Sequence, residues 1–375
     1  MTRKSWVVVL AVVVMMGVSS LTSAGAVDAT PVNQQLPEIS GVARLDATLT
    51  ASTGEWAPVT ASTTYAYAWL RDGSPISGAD ESSYRATSTD LGHALSVRVT
   101  ATTGSATSLP ATSAPTDQVG PGVFAGVSAP TISGVRRWGR TLTASAGTWS
   151  PAPSSISYQW LRNGSPIVGA TSRSLKLPVG DFGTRISIRA VARRTNYVAS
   201  SIVSPQTAPI GHRVPVSKVF TYSIATRGHV TADLSTFTQI AAQVYANPRG
   251  WRAAGYEFRH VQRGGEFTLV LASAAAMTTF GPPCDHTWSC RVGRYVVVNQ
   301  TRWLHASPAW NAQHLPLREY RTMVIDHETG HWLGHGHLTC PGPGRLAPVM
   351  MQQSKGLHGC RFNPYPLPSE RWTSR

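Results

Sequence analysis

His327-Glu328-Thr329-Gly330-His331-Trp332-Leu333-Gly334-His335-Gly336-His337 is the stretch from which the rest of the chain can be read. On an α-helix, residues four apart lie one above the other on one face. His327 and His331 can therefore aim imidazole nitrogens at one Zn²⁺, about 2.0–2.1 Å away. Glu328, one residue on, can reach a water on that metal and take its proton. Gly334 lets the helix stop and the chain turn back, because glycine takes left-handed backbone angles without a steric cost. The turn then returns His337 as a third nitrogen ligand. Three protein ligands and one open position are the coordination of catalytic zinc, whereas structural zinc is closed. His335 competes for the third place, since on an unbroken helix it lies two turns past His327 on nearly the same face. A break at Gly334 favours His337 and leaves His335 to face solvent or to orient another ligand.

The chain has 375 residues, long for one core and enough for two or three domains. Residues 1–26 read as an export signal. Arg3 and Lys4 are basic, Trp6 to Val18 is apolar, and Ala24-Gly25-Ala26 offers a small-x-small cleavage site. The apolar run is too short to span a bilayer comfortably, and retention as an N-terminal anchor is the alternative. No later stretch is long and apolar enough for a membrane helix, so the mature chain is expected to be secreted, or cell-wall associated, without a transmembrane span. Cys284, Cys290, Cys340 and Cys360 are the four cysteines. In an exported chain an even number suggests disulfides, and four allow three pairings. Cys284–Cys290 and Cys340–Cys360 are favoured because each closes a local loop. A second zinc site is the alternative, weakened by the lack of a Cys-x-x-Cys pair.

The net charge of +15 comes almost entirely from arginine spread over the whole chain. No basic cluster interleaved with aromatics is present, so nucleic acid is not expected as a partner. Attachment to anionic cell-wall or surface polymers stays open beside a plain compositional reading.

Working outward, the N-terminal half contains a duplication. Trp69-Leu70-Arg71-Asp72-Gly73-Ser74-Pro75-Ile76 returns as Trp160-Leu161-Arg162-Asn163-Gly164-Ser165-Pro166-Ile167. Ile39-Ser40-Gly41, Gly54-Glu55-Trp56 and Asp90-Leu91-Gly92 recur likewise, with the copies 91 to 93 residues apart. That spacing suits a small domain in tandem and is too long for a solenoid. Each copy alternates large and small residues up to an Asp-Gly or Asn-Gly, the strongest short hairpin signal. Leu95 to Val99 and Ile186 to Ala190 alternate as half-buried strands do. Two all-β sandwiches are expected, over residues 36–118 and 128–210, with Trp69 and Trp160 as core residues. Both copies resemble the Ig-like repeats found in tandem on bacterial surface and secreted proteins. Residues 27–35 read as a flexible leader, and the Pro/Gly/Ser-rich stretches 113–126 and 205–215 as linkers.

From residue 215 the pattern changes. Strands are expected at Val219 to Ile224, Tyr256 to Val261, Phe267 to Ala272 and Tyr295 to Asn299. A helix is expected at Leu234 to Tyr245, ended by Asn247-Pro248-Arg249-Gly250. Pro316 stands near the start of a last helix, on which Tyr320, Val324, His327 and His331 share a face. The order β-α-β-β-β-α, closing on the histidine helix, is that of a zincin catalytic module.

Residues 215–375 resemble the DUF3152 group, secreted actinobacterial domains classed with metzincin-like zinc peptidases. The residues that carry the resemblance are 327–337, Cys340-Pro341-Gly342-Pro343-Gly344, and Ala347-Pro348-Val349-Met350-Met351-Gln352-Gln353 running on to Gly359-Cys360. The resemblance implies an α+β zincin-like (metzincin) fold that uses Zn²⁺ to cleave a peptide or protein substrate. It also implies that Met350, with Met351 as the other choice, forms a turn beneath the metal histidines without binding the ion. On this reading Glu328 accepts a proton from water and later gives it to the leaving amine. Tyr295 to Asn299 is the candidate edge strand for substrate, with a core strand as the alternative. Asp326 points about 100° off the ligand face and reads as an exposed helix carboxylate, with a role in orienting a metal ligand as the alternative. Tyr365 is a candidate for stabilising an oxyanion, while Asp285 and His286 receive no role. The leading expectation is thus a secreted zinc endopeptidase. Its rivals are a surface binding protein with a non-catalytic zinc site and a cell-wall peptide hydrolase.

Overall fold

A computed structural model describes residues 29–375, with the side chains of 126 and 127 left aside. The expected export signal lies outside the described residues. The chain divides into two compact units, one running to Val123 and including Arg194–Val198, the other made of Phe124–Arg193 and Ala199–Arg375.

The architecture is largely β. In the first repeat, Thr64–Arg71 pairs antiparallel with Leu95–Thr103, and Ile39–Ser40, Thr48–Ala51 and Ser83–Arg85 form a second sheet. Asp72 and Gly73 carry φ of 45° and 82°. This is the backbone a two-residue hairpin needs, and it explains the dipeptide. Trp69 is fully buried between the sheets with Leu49, Val97 and Val99, and its Nε1 donates to the Glu81 carbonyl at 3.0 Å. The second repeat copies this arrangement. Ser155–Arg162 pairs with Ile186–Arg193, and Trp160 Nε1 donates to the Ser172 carbonyl at 2.8 Å.

Three stretches read as flexible are ordered parts of the sandwiches. Val32–Gln35 is a strand paired with Glu55–Ala57, inside the expected leader. Val119 is buried and bridges Leu91, and Ile210 is buried and bridges Phe182, both inside expected linkers. The first of these linkers also runs into strand Ala125–Ser128, which pairs with Thr148–Ser150, and one apolar residue in each closes a core.

The C-terminal region is a five-stranded mixed sheet with helices. Its order is Tyr256–His260, Lys218–Arg227, Phe267–Ala272, Tyr295–Asn299, Cys290–Val292. The first four strands run parallel and the last is antiparallel. One face (Leu269, Leu271, Val296, Val298) packs on helix Leu234–Ala246, capped by Asp233, and on helix Leu317–Leu333. The other face (Val270, Val297) covers Met277 and the Cys284–Cys290 disulfide. The second disulfide joins Cys340 to Cys360. Both pairings follow the local-loop expectation.

Tyr295–Asn299 is not the edge strand. It lies between two neighbours, and its residues after Tyr295 are buried. The edge on that side is Cys290–Val292, a three-residue strand whose central arginine hides it from any periodicity argument.

Candidate metal centre

The histidine helix starts after Pro316 and ends at Gly334, whose φ of 108° turns the chain back as the glycine requires. His331 Nε2 stands 3.1 Å from His327 Nε2 and 3.1 Å from His337 Nε2. All three ligand atoms lie within 4.8 Å of one another. Donors about 2.0–2.1 Å from one ion at tetrahedral angles stand about 3.3 Å apart, so this spacing fits a single ion. Val349 O lies 2.7 Å from His327 Nδ1, and His335 O lies 2.8 Å from His331 Nδ1. If Nδ1 donates in both, each Nε2 lone pair is free to face the common centre. His335 is therefore an orienting residue through its backbone. Its ring packs on Trp251 and Trp372, and its Nε2 meets the Trp372 carbonyl at 2.8 Å.

Burial lowers the His327 pKa to about 3 and the His331 pKa to about 4, in both cases helped by neighbouring histidines. Burial likewise lowers that of His337. Neutral imidazoles are the form that binds a metal. The donor set thus suits a zinc-type ion better than magnesium or calcium, which prefer oxygen.

Glu328 is buried, and burial alone raises its pKa to about 8. Its carboxyl and the three imidazoles line one cavity of about 580 Å³. Tyr320 and Val324 of the same helix, the Trp288–Arg291 wall and the loop 351–355 complete that cavity.

Met350 lies fully buried beneath the helix. A Cβ on Gly330 would come within 2.2 Å of Met350 Sδ, so the glycine inside the motif is where the methionine fits. Met351 instead lines the cavity beside the Cys340–Cys360 disulfide. The turn is anchored by a residue the sequence did not disclose. Buried Glu370 accepts from Val349 N at 3.1 Å, Met350 N at 2.9 Å and Leu367 N at 2.7 Å. It thereby fixes the carbonyl that meets His327. Nothing in local spacing links positions 349 and 370.

Two other sequence readings fail. Asp326 is fully buried, and neither carboxylate oxygen has a partner among the described residues. Burial, then the charge of Glu370, pushes its pKa well above the usual range. Trp251, whose Nε1 donates to the Asp326 carbonyl at 2.9 Å, covers what an isolated helix would leave in water. Tyr365 is held elsewhere. Arg249 Nη2 donates to its hydroxyl at 2.6 Å, and it lines a separate cavity of about 160 Å³. Asp285, given no role, lines the large cavity, with its Oδ1 accepting from Thr287 N at 2.6 Å and Trp288 N at 2.9 Å.

Residues 198–368 match a family model described as "Protein of unknown function (DUF3152)", so the C-terminal region is similar to that family. No curated protein matches the chain. Among solved structures, the three N-terminal domains of the bacteriophage RB49 outer capsid protein Hoc share 15% identity, with a TM-score of 0.22. That match covers 51% of this chain and 65% of that one. A two-domain fibronectin type-III segment of chicken tenascin shares 17% identity over 46% of this chain and 98% of that one, with a TM-score of 0.24. The FN1–FN3 domains of chicken CNTN1 share 14% over 47% and 68%, with a TM-score of 0.18.

Proposed function

We propose that the C-terminal region is a zinc-dependent peptidase of metzincin type, acting outside the cell. The observation that carries this reading is a buried Glu328, with no ion-pair partner among the described residues, lining the same cavity as three converging imidazoles. A purely structural ion has no use for such a group. His327, His331 and His337 would hold the ion, which when bound supplies a Lewis acid for the scissile carbonyl and the attacking water. Glu328 takes the proton of that water and passes it to the leaving nitrogen. Glu370 and Met350 hold the turn at 348–351, whose Val349 carbonyl keeps His327 in register.

The edge strand supports a peptide as substrate. Val292 and Tyr295 close a two-residue hairpin, and bonded and non-bonded pairs alternate along an antiparallel ladder. Arg291 N–H and C=O therefore point away from the sheet, where an extended chain can add as a further strand. The two disulfides favour an oxidising compartment, and the repeats fit the role of spacing or docking modules.

Elemental analysis of the purified full chain and of Glu328→Ala, with cleavage of a broad fluorogenic peptide library, tests this. One zinc in both, with cleavage by the parent alone, is the expected result. Zinc in both with equal or no cleavage moves the assignment to a binding protein, unless the parent cleaves cell-wall peptides instead. No zinc in either ends it.

A further inference from the structure

Arg291 sits at the centre of the edge strand and pairs with Val296, so its side chain falls on the sheet face that packs against the histidine helix. It lines the cavity half-buried, and its Nε is shut off from solvent without a partner among the described residues. Its charge is felt by His331. Lys355, which follows the methionine turn, also lines the cavity, and its charge is felt by His337. Lys355 Nζ lies 5.9 Å from the Trp288 ring centroid, so the cation extends along the wall formed by the Cys284–Cys290 loop. The remaining charged groups in the lining are Glu328 and Asp285, besides the histidines. Glu328 belongs to the proton transfer proposed above, and Asp285, whose Oδ1 accepts from two backbone amides, also feels the charge of Lys355. Apart from Glu328, the lining thus sets the two positive charges of Arg291 and Lys355 against the single carboxylate of Asp285 beside the metal ligands. A half-buried guanidinium whose Nε has no acceptor among the described residues is a costly arrangement that a bound carboxylate relieves.

We propose that Arg291 and Lys355 bind a substrate carboxylate, which makes the site selective for acidic peptides. The selected group is an acidic side chain or terminus close to the bond presented to His327, His331 and His337. A cavity of about 580 Å³ holds a ligand only a few residues long, so the carboxylate must lie within a residue or two of that bond. The inference names the substrate class of the peptidase reading and rests on it for the cleaved bond, but the anion-binding wall is present with or without the ion.

The test uses fluorescent peptides that differ only in a Glu or a Gln, moved position by position along one sequence. They are titrated against the full chain, both zinc-loaded and chelator-treated. At the best position the Glu peptide is expected to bind about tenfold more tightly than its Gln partner in both forms, the scale of one charge-assisted hydrogen bond. Arg291→Gln and Lys355→Gln should each shrink the ratio, and the double variant should bring it close to one. Raised salt should shrink it too. Equal or absent binding of the two peptides by the unsubstituted chain, at every position, overturns the proposal without needing any variant to fold. The two readings separate cleanly. Cleavage of both peptides at equal kcat/KM keeps the peptidase and removes the acidic preference, whereas selective binding without cleavage keeps the anion wall and removes the peptidase.

Discussion

Asp90 in the first repeat and Glu328 on the histidine helix are both withdrawn from water, but their surroundings differ at every point. Arg71 Nε donates to Asp90 Oδ1 at 2.7 Å, while Tyr84 Oη and Thr87 N donate to Oδ2 at 2.8 and 2.7 Å. Burial would raise the Asp90 pKa, and Thr87, Arg71 and Tyr84 together overcome it and hold the carboxyl below its usual range. Glu328 has no such set, so burial goes unopposed. A carboxylate that serves the fold is neutralised and bonded. One left without partners costs stability, and such groups concentrate where a chain uses them chemically.

The second repeat shows how much of the first arrangement is dispensable. Arg162 Nε still donates to Asp181 Oδ1 at 2.5 Å. However, Leu175 stands where Tyr84 was and Pro178 where Thr87 was, and a proline has neither an N–H nor a hydroxyl to give. Asp181 Oδ2 is accordingly buried without a partner among the described residues. The guanidinium is the shared element of the two latches.

The largest test of the contrast is to remove that element. Arg71→Met strands a buried carboxylate and should destabilise the first repeat by about 3 kcal/mol. Hydrogen exchange along Thr64–Arg71 in the full chain reads this, and a loss under 1 kcal/mol would show that the hydrogen bonds alone suffice. Next, Pro178→Thr restores a donor pair to Asp181 Oδ2 and should stabilise the second repeat by about 1 kcal/mol. Unchanged exchange along Ser155–Arg162 would mean that water already satisfies that oxygen. The smallest effect is expected at Asp326. It has no ion pair to lose among the described residues, so Asp326→Asn should alter the unfolding free energy by no more than about 1 kcal/mol and leave zinc content unchanged. A loss of 3 kcal/mol would reveal a partner and move Asp326 into the class of Asp90.

The division between what was legible and what was not follows the range of the interactions. Spacing alone fixed the convergence of His327, His331 and His337, because helix period and a glycine stop are local geometry. Chain repetition revealed the two sandwiches with their buried Trp69 and Trp160, and short loop length picked out the two disulfides. Tertiary structure decided the rest. It set Cys290–Val292 at the sheet edge in place of Tyr295–Asn299, buried Asp326 under Trp251, drew Tyr365 to Arg249, and brought Glu370 to the methionine turn. Each of these depends on which distant surface covers a residue, and burial and partner choice leave no trace in the spacing of nearby side chains.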